Sequence, residues 1–138
     1  MHIEHLAIWT TDIEQMKDFY CHYFGAVAGE RYVNLKKNFQ SYFLSFEKGP
    51  RIELMQMKDV PETANDIYKQ FTGLIHFAVS AGSEEKVKTL TAQLVSDGFE
   101  LLDGPRWTGD GYFESVILDP EKNRIEIILS LSLLKLTG

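Results

Sequence analysis

The sequence of 138 residues has little of what several classes of protein require. Its single cysteine, Cys21, excludes an internal disulfide and a metal site built from several cysteines. No apolar run approaches the roughly 20 residues that a membrane-spanning helix needs. There is no basic block, and a net charge of −6 disfavours partners such as nucleic acid or anionic membranes. Because residues 1–4 lack the pattern of a signal peptide, we expect a cytoplasmic protein.

Two segments have the apolar spacing of amphipathic helices, each of which covers one side of a sheet. The first, 12–24, opens with Thr11 or Asp12 as a cap and ends at Gly25. The second, 84–97, follows the capping residue Ser83 and ends at Gly98. Strands are predicted where apolar segments alternate with turn residues. These segments are 2–10, 39–47, 50–57, 73–81, 112–119 and 124–131, with a less regular pattern over 27–35 and 99–103.

The order strand, helix, three strands therefore occurs twice, and the sequence itself repeats. The segment IEHLAI, which contains His5, resembles LIHFAV, which contains His76. The segment RIELM, around Glu53, resembles RIEII, around Glu126. Two matching pairs at nearly equal separations indicate an internal repeat rather than coincidence.

Each copy alone is too small for comfortable stability, so we predict one domain over 1–138. It consists of modules 1–57 and 73–131, joined by a connector, 58–72, that holds a short helix around 62–70. The apolar tail SLSLLKLTG, from residue 130 onward, is expected to cover a sheet edge or a subunit contact.

The repeated histidines and glutamates are candidates for a metal site. Side chains alternate along a strand, so these four residues face away from the helices. Gathered in a partly dry space, two imidazoles and two carboxylates need a compensating cation. His5, Glu53, His76 and Glu126 suit Zn, Ni, Co, Mn or Fe(II). The alternative for each one is a polar side chain on the solvated face of a strand, and the repetition favours the metal.

The sequence resembles the vicinal oxygen chelate (VOC) superfamily, which includes glyoxalase I, methylmalonyl-CoA epimerase, fosfomycin-resistance proteins, extradiol dioxygenases and bleomycin-resistance proteins. The resemblance is carried by the first-strand histidine followed by TTDIEQMKDFYCHYFG, and by RIELM, GLIHFAVS and GDGYFESVILDPEKNRIEI. It implies an α+β fold of two tandem βαβββ modules that form an open, cupped mixed sheet around a divalent metal. It further implies a homodimer, and whether the site lies within one chain or between two stays open.

The His-Glu-His-Glu pattern resembles glyoxalase I most closely, then the epimerases. This implies proton transfer next to a carbonyl, in a small substrate chelated through two vicinal oxygens. The general base would be Glu53 or Glu126, and the choice between them stays open. The alternatives are a non-catalytic small-molecule binding or resistance protein and an Fe(II)-dependent dioxygenase.

Two departures from the glutathione-dependent glyoxalases concern the substrate. Those of the small bacterial type usually carry Arg and Asn where this sequence has Trp9 and Met57. Glutathione is therefore disfavoured, and another thiol cofactor or a different substrate is expected.

Other substrate contacts are expected from aromatic residues and from one arginine. Segment 103–115 is interpreted as a rim over the metal, or else as a plain hairpin loop. Strand alternation places one of Tyr42 and Phe43 beside the substrate and the other beside the helix. The predicted substrate-binding residues are Trp9, Tyr42, Arg106, Trp107 and Tyr112.

Overall fold

The computed structural model of the protein describes residues 1–130, so the predicted contacts of the tail lie outside the described part. The elements, in chain order, are β1 (His5–Trp9), α1 (Ile13–Phe24), β2 (Val27–Ala28), β3 (Tyr32–Asn34), β4 (Phe39–Ser45), β5 (Arg51–Met57), β6 (His76–Ser80), α2 (Glu84–Ser96), β7 (Leu101–Trp107), β8 (Tyr112–Leu118) and β9 (Arg124–Ser130). The predicted α+β class with two βαβββ modules is confirmed. Neither helix of the described residues is long and apolar enough to cross a membrane.

The first compact unit spans Met1–Asp66. Its strands are ordered β1-β5-β4-β2, with β3 also paired to β4. Strand β5 is parallel to β1 and antiparallel to β4, so the sheet is mixed. Helix α1 packs against β4 and β5. The core residues between them are Ile13, Met16, Phe19, Tyr20, Leu44, Ile52 and Leu54.

The second unit begins at Ile67 and repeats this plan. Its strands are ordered β6-β9-β8-β7, with β6 parallel to β9 and the other pairs antiparallel. Helix α2 buries Val87, Thr91 and Leu94. The hydroxyl oxygens of Thr91 and Ser115 lie 2.7 Å apart, so the polar groups of this core are paired with each other.

Capping residues begin both helices where the sequence predicts them. The carboxylate of Asp12 accepts from the backbone N–H of Gln15 at 3.0 Å, and Ser83 accepts from that of Lys86 at 3.1 Å. Gly25 ends α1 in the left-handed conformation, with φ of 68°.

One prediction about the less regular segments is wrong, and another holds for only part of its range. No helix forms over 62–70. The carbonyls of Ile67 and Lys69 instead accept hydrogen bonds from the guanidinium of Arg124, and a segment this short gains too little from helix formation alone. Segment 103–115 forms a hairpin with a shorter loop than expected, because β7 continues to Trp107, residues 108–111 form the turn and β8 begins at Tyr112.

The glycine and proline of 103–105 suggest a turn, yet they lie in an edge strand with a β-bulge. The register with β8 shifts on both sides of Asp103, and bulged edge strands tolerate both residue types. Gly104 has φ of 80°, and a Cβ there would overlap the backbone carbonyl of Glu114. The hairpin therefore requires glycine at this position.

Candidate functional site

The first His–Glu pair lies on neighbouring parallel strands of the first unit. His5 pairs with Arg51 and Ala7 pairs with Glu53, so the histidine and the glutamate are diagonal neighbours. They share the face opposite α1, because the alternating residues Ile52 and Leu54 are buried in the core.

The second pair has the same register. His76 pairs with Arg124 and Ala78 pairs with Glu126, again on the face opposite the helix. Here the two side chains are in contact, with Nε2 of His76 3.1 Å from a carboxylate oxygen of Glu126. The glutamate side chain is 18% exposed and the histidine 40%, so the glutamate is the more buried partner.

This separation fits two ligands of one metal ion. Two donor atoms that each lie about 2.1 Å from a metal are about 3.0 Å apart at a right angle and about 3.4 Å apart at a tetrahedral angle. The observed 3.1 Å falls between these values. The distance agrees with two ligands of one ion, and it equally agrees with a direct hydrogen bond between the two side chains.

In the first unit a carboxylate outside the predicted set contacts the histidine. Nδ1 of His5 is hydrogen-bonded to Glu4, which also accepts from Nε of Arg51 at 2.8 Å and from Nη2. Both partners lower the pKa of the Glu4 carboxyl, the His5 hydrogen bond more than that of Arg51. The Arg51 guanidinium lies 4.2 Å from the Phe43 ring centroid, and the His5 ring meets Phe43 edge-on at 5.4 Å.

The described residues, 1–130, contain no cluster of three or more His, Cys, Asp or Glu side chains that could hold a metal. The structure brings together His76 and Glu126, and it places His5 and Glu53 in the matching register. The centre with all four ligands stays a prediction.

The predicted substrate residues of the first unit are divided between the two faces of the sheet. Trp9 lies on the His5 face, 43% exposed, with its ring edge-on to Phe39 at 6.2 Å. Tyr42 lies on the helix face, where it is buried and donates to Glu14 of α1 at 2.7 Å. It does not lie with Glu53, and the neighbouring Phe43, paired with Glu53, takes that position.

The residues predicted from the β7–β8 hairpin are divided in the same way. By register, Tyr112 and Arg106 belong to the face of Glu126, and Arg106 is paired with Asp103 at 2.8 Å. The Trp107 ring lies 5.2 Å from that of Phe113, which is buried on the helix face. The structure therefore does not bring Trp107 to the glutamate.

A further acid on this face, Glu114, was not among the predicted site residues. It lies on β8, one diagonal from Glu126. Burial raises the pKa of the Glu114 carboxyl, and the negative charge of Glu126 raises it further. The signal that selected Glu53, an acid within an apolar strand, is also present in the segment YFESVIL. Glu114 lies within 103–115, and the interpretation of this segment as a rim left the residue out of the predicted site.

Solved structures with the same fold include two glyoxalases I and one bacterial domain. The trypanothione-dependent glyoxalase I of Leishmania major is 19% identical, with a TM-score of 0.75 over 99% of this chain and 92% of that chain. Glyoxalase I of Zea mays is 21% identical, with a TM-score of 0.74 over 92% of this chain and 44% of that chain. A glyoxalase/bleomycin resistance protein/dioxygenase domain from Frankia sp. EAN1pec is 15% identical, with a TM-score of 0.78 over 94% of this chain and 98% of that chain.

This chain thus spans less than half of the maize enzyme, and likeness at such identities shows a shared fold rather than a shared activity. No curated protein matches the sequence. Residues 2–127 match the family model of the Glyoxalase/Bleomycin resistance protein/Dioxygenase superfamily. The match covers most of the chain and agrees with the resemblance to the VOC superfamily. The chain belongs to the Glyoxalase/Bleomycin resistance protein/Dioxygenase superfamily.

Proposed function

We propose that the protein is a divalent-metal-dependent enzyme of the glyoxalase I type, a lyase or isomerase that moves a proton next to a carbonyl group. The observation that carries this proposal is the repeated register of histidine and glutamate in both units, with the 3.1 Å contact between His76 and Glu126. Both pairs lie on the face of their sheet opposite the helix, away from the helix–sheet core.

In this proposal His5, Glu53, His76 and Glu126 are the ligands of the divalent metal. Nitrogen and carboxylate donors in this ratio suit Zn, Ni, Co, Mn or Fe(II) and leave positions for substrate oxygens. When bound, the ion supplies Lewis acidity, which makes the hydrogen next to a carbonyl more acidic. A glutamate then removes that proton and returns it to the neighbouring carbon.

Either glutamate satisfies the chemical requirement for the base. Glu126 is partly buried and contacts His76, and Glu53 lies across from the ring of Phe43. Glutamine substitutions distinguish the two residues, because they keep size and remove basicity.

The apolar side chains around the first pair support a substrate other than a glutathione adduct. Trp9 pairs with Met55, and Phe39 pairs with Met57, in the strands next to Glu53. Such a surface favours an apolar group on the substrate over the carboxylates of a tripeptide. We therefore propose a small substrate with vicinal oxygens and an apolar substituent.

The test is proton exchange in untagged protein loaded separately with Ni, Co, Zn or Mn. A set of α-hydroxy ketones and α-keto aldehydes with methyl or phenyl substituents, with and without added thiols, is incubated in deuterated buffer. We expect deuterium next to the carbonyl with loaded protein and none after chelation. Binding without exchange would favour a non-catalytic binding protein, and oxygen uptake by the Fe(II)-loaded protein would favour a dioxygenase.

A further inference from the structure

The two histidines differ in their hydrogen bonds although their strand registers are the same. His76 contacts Glu126 through Nε2. His5 is engaged through the opposite ring nitrogen, Nδ1, by the carboxylate of Glu4. The residue before His76 is Ile75, so no carboxylate occupies the corresponding position in the second unit.

Glu4 is held from two directions. Its side chain accepts from Nε and Nη2 of Arg51, and its backbone carbonyl accepts from the Arg51 N–H at 3.0 Å. Arg51 in turn lies over the ring of Phe43, which His5 meets edge-on. These contacts fix the direction from which the carboxylate approaches the imidazole.

The arginine in the matching position of the second unit serves another purpose. Arg124 donates to the backbone carbonyls of Ile67 at 2.6 Å and Lys69 at 3.1 Å, within its own connector. The arrangement of Glu4, His5 and Arg51 is therefore specific to the first unit and does not follow from the repeat.

We propose that Glu4, held by Arg51, is a positioning residue that fixes His5 in the tautomer with hydrogen on Nδ1 and thereby presents Nε2 as a metal ligand. A carboxylate paired with arginine only accepts hydrogen bonds, so the shared proton belongs to the imidazole. The opposite nitrogen then carries the lone pair. Carboxylates that contact the distal nitrogen of metal-binding histidines act in this way. This inference rests on the proposed function of His5.

The test uses the intact, metal-free protein, so the first result does not depend on metal binding. Long-range ¹H–¹⁵N spectra at about pH 8, above the usual histidine pKa of about 6.5, report which ring nitrogen carries hydrogen. We expect hydrogen on Nδ1 of His5 in the wild type and a shift toward Nε2 in E4A. His76 is the internal control and should not change. E4Q should retain part of the effect, because its amide oxygen still accepts.

The second measurement is zinc affinity by competition with a chromophoric chelator. We expect E4A to bind about 10- to 100-fold more weakly than the wild type, E4Q less so, and the exposed control E47A equally well. An unchanged His5 tautomer in E4A would overturn the inference, and so would a changed tautomer with unchanged affinity. A wild type that binds no metal but shows the tautomer shift would refute the proposed function and leave the orientation of His5 by Glu4 supported.

Discussion

Nε2 of His76 lies 3.1 Å from a carboxylate oxygen of Glu126, in the register that also relates His5 to Glu53. The register of histidine and glutamate is the same in the two units. Both pairs lie on the face of their sheet opposite the helix, and the proposed function gives them one chemical role.

Replacement of the two glutamates tests the catalytic part of the proposal. E53Q and E126Q should keep the fold, since both side chains lie outside the cores, and at least one should lose about 10²- to 10⁴-fold in turnover. The measurement is kcat for deuterium exchange in metal-loaded protein, with exposed E47Q as the matched control. Wild-type turnover in both variants would refute a carboxylate base at either position.

Glu14 should make stability depend on pH. The pKa of its carboxyl is lowered by Lys17 and then by Tyr42. A carboxyl whose pKa is lowered by folding stabilises the protein at pH values above its ordinary pKa of 4.5. This stabilisation is lost as the pH falls through the lowered pKa of the folded state. E14Q should therefore be less stable at neutral pH, by about 1 kcal/mol because solvent screens a carboxylate that is 46% exposed.

Urea unfolding of E14Q and wild type between pH 3 and 7 provides this measurement. The difference in unfolding free energy between wild type and E14Q should become smaller toward pH 3, because the Glu14 carboxylate of the wild type is then protonated. A constant difference across the range would contradict the linkage and point to a packing effect of the substitution.

Gly104 should be irreplaceable in the β7–β8 hairpin. Alanine there requires φ of 80° and would overlap the carbonyl of Glu114, so we expect G104A to lose at least about 2 kcal/mol of unfolding free energy. Gly109, in the turn of the same hairpin, has open space around its Cα, so G109A is the matched control. Equal stability of the two variants would contradict the bulged geometry.

The buried hydrogen bond between Thr91 and Ser115 should show coupling. T91V removes one partner and leaves Ser115, fully buried, unsatisfied, at a cost of about 1–3 kcal/mol. The double variant T91V/S115A should recover part of this loss, because neither site then has an unpaired hydroxyl. Strict additivity in the double-mutant cycle would show that the two side chains do not interact.

Much of the architecture could be predicted because the two modules have strong local patterns. The helices have capping residues and glycine stops, such as Asp12 and Gly25, and the strands have apolar runs. The duplication added a second, independent signal for each element. The predicted bounds of β7 were wrong, because Gly104 suggested a turn where the strand has a bulge. A bulge depends on the pairing with the partner strand and not on local sequence.

The site was predictable only in part, for a related reason. The repeat identified both His–Glu pairs, but alternation alone could not say whether Tyr42 or Phe43 faced the glutamate. That choice depends on the register with β5, which pairs Phe43 with Glu53. Glu4 lies before β1 and outside the alternating pattern. Its contact with His5 depends on the conformation of the two side chains, which strand alternation does not predict. Glu114 shows no counterpart in the first module, where Ser41 occupies the matching register.

The most direct test of the central claim is the metal content of untagged protein after saturation with zinc or nickel and removal of excess ion. The wild type should retain the divalent ion, and H5A and H76A should each lose it. H22A, which removes an exposed histidine from α1, should retain it. Equal metal content in all four proteins, or none in the wild type, would contradict the claim.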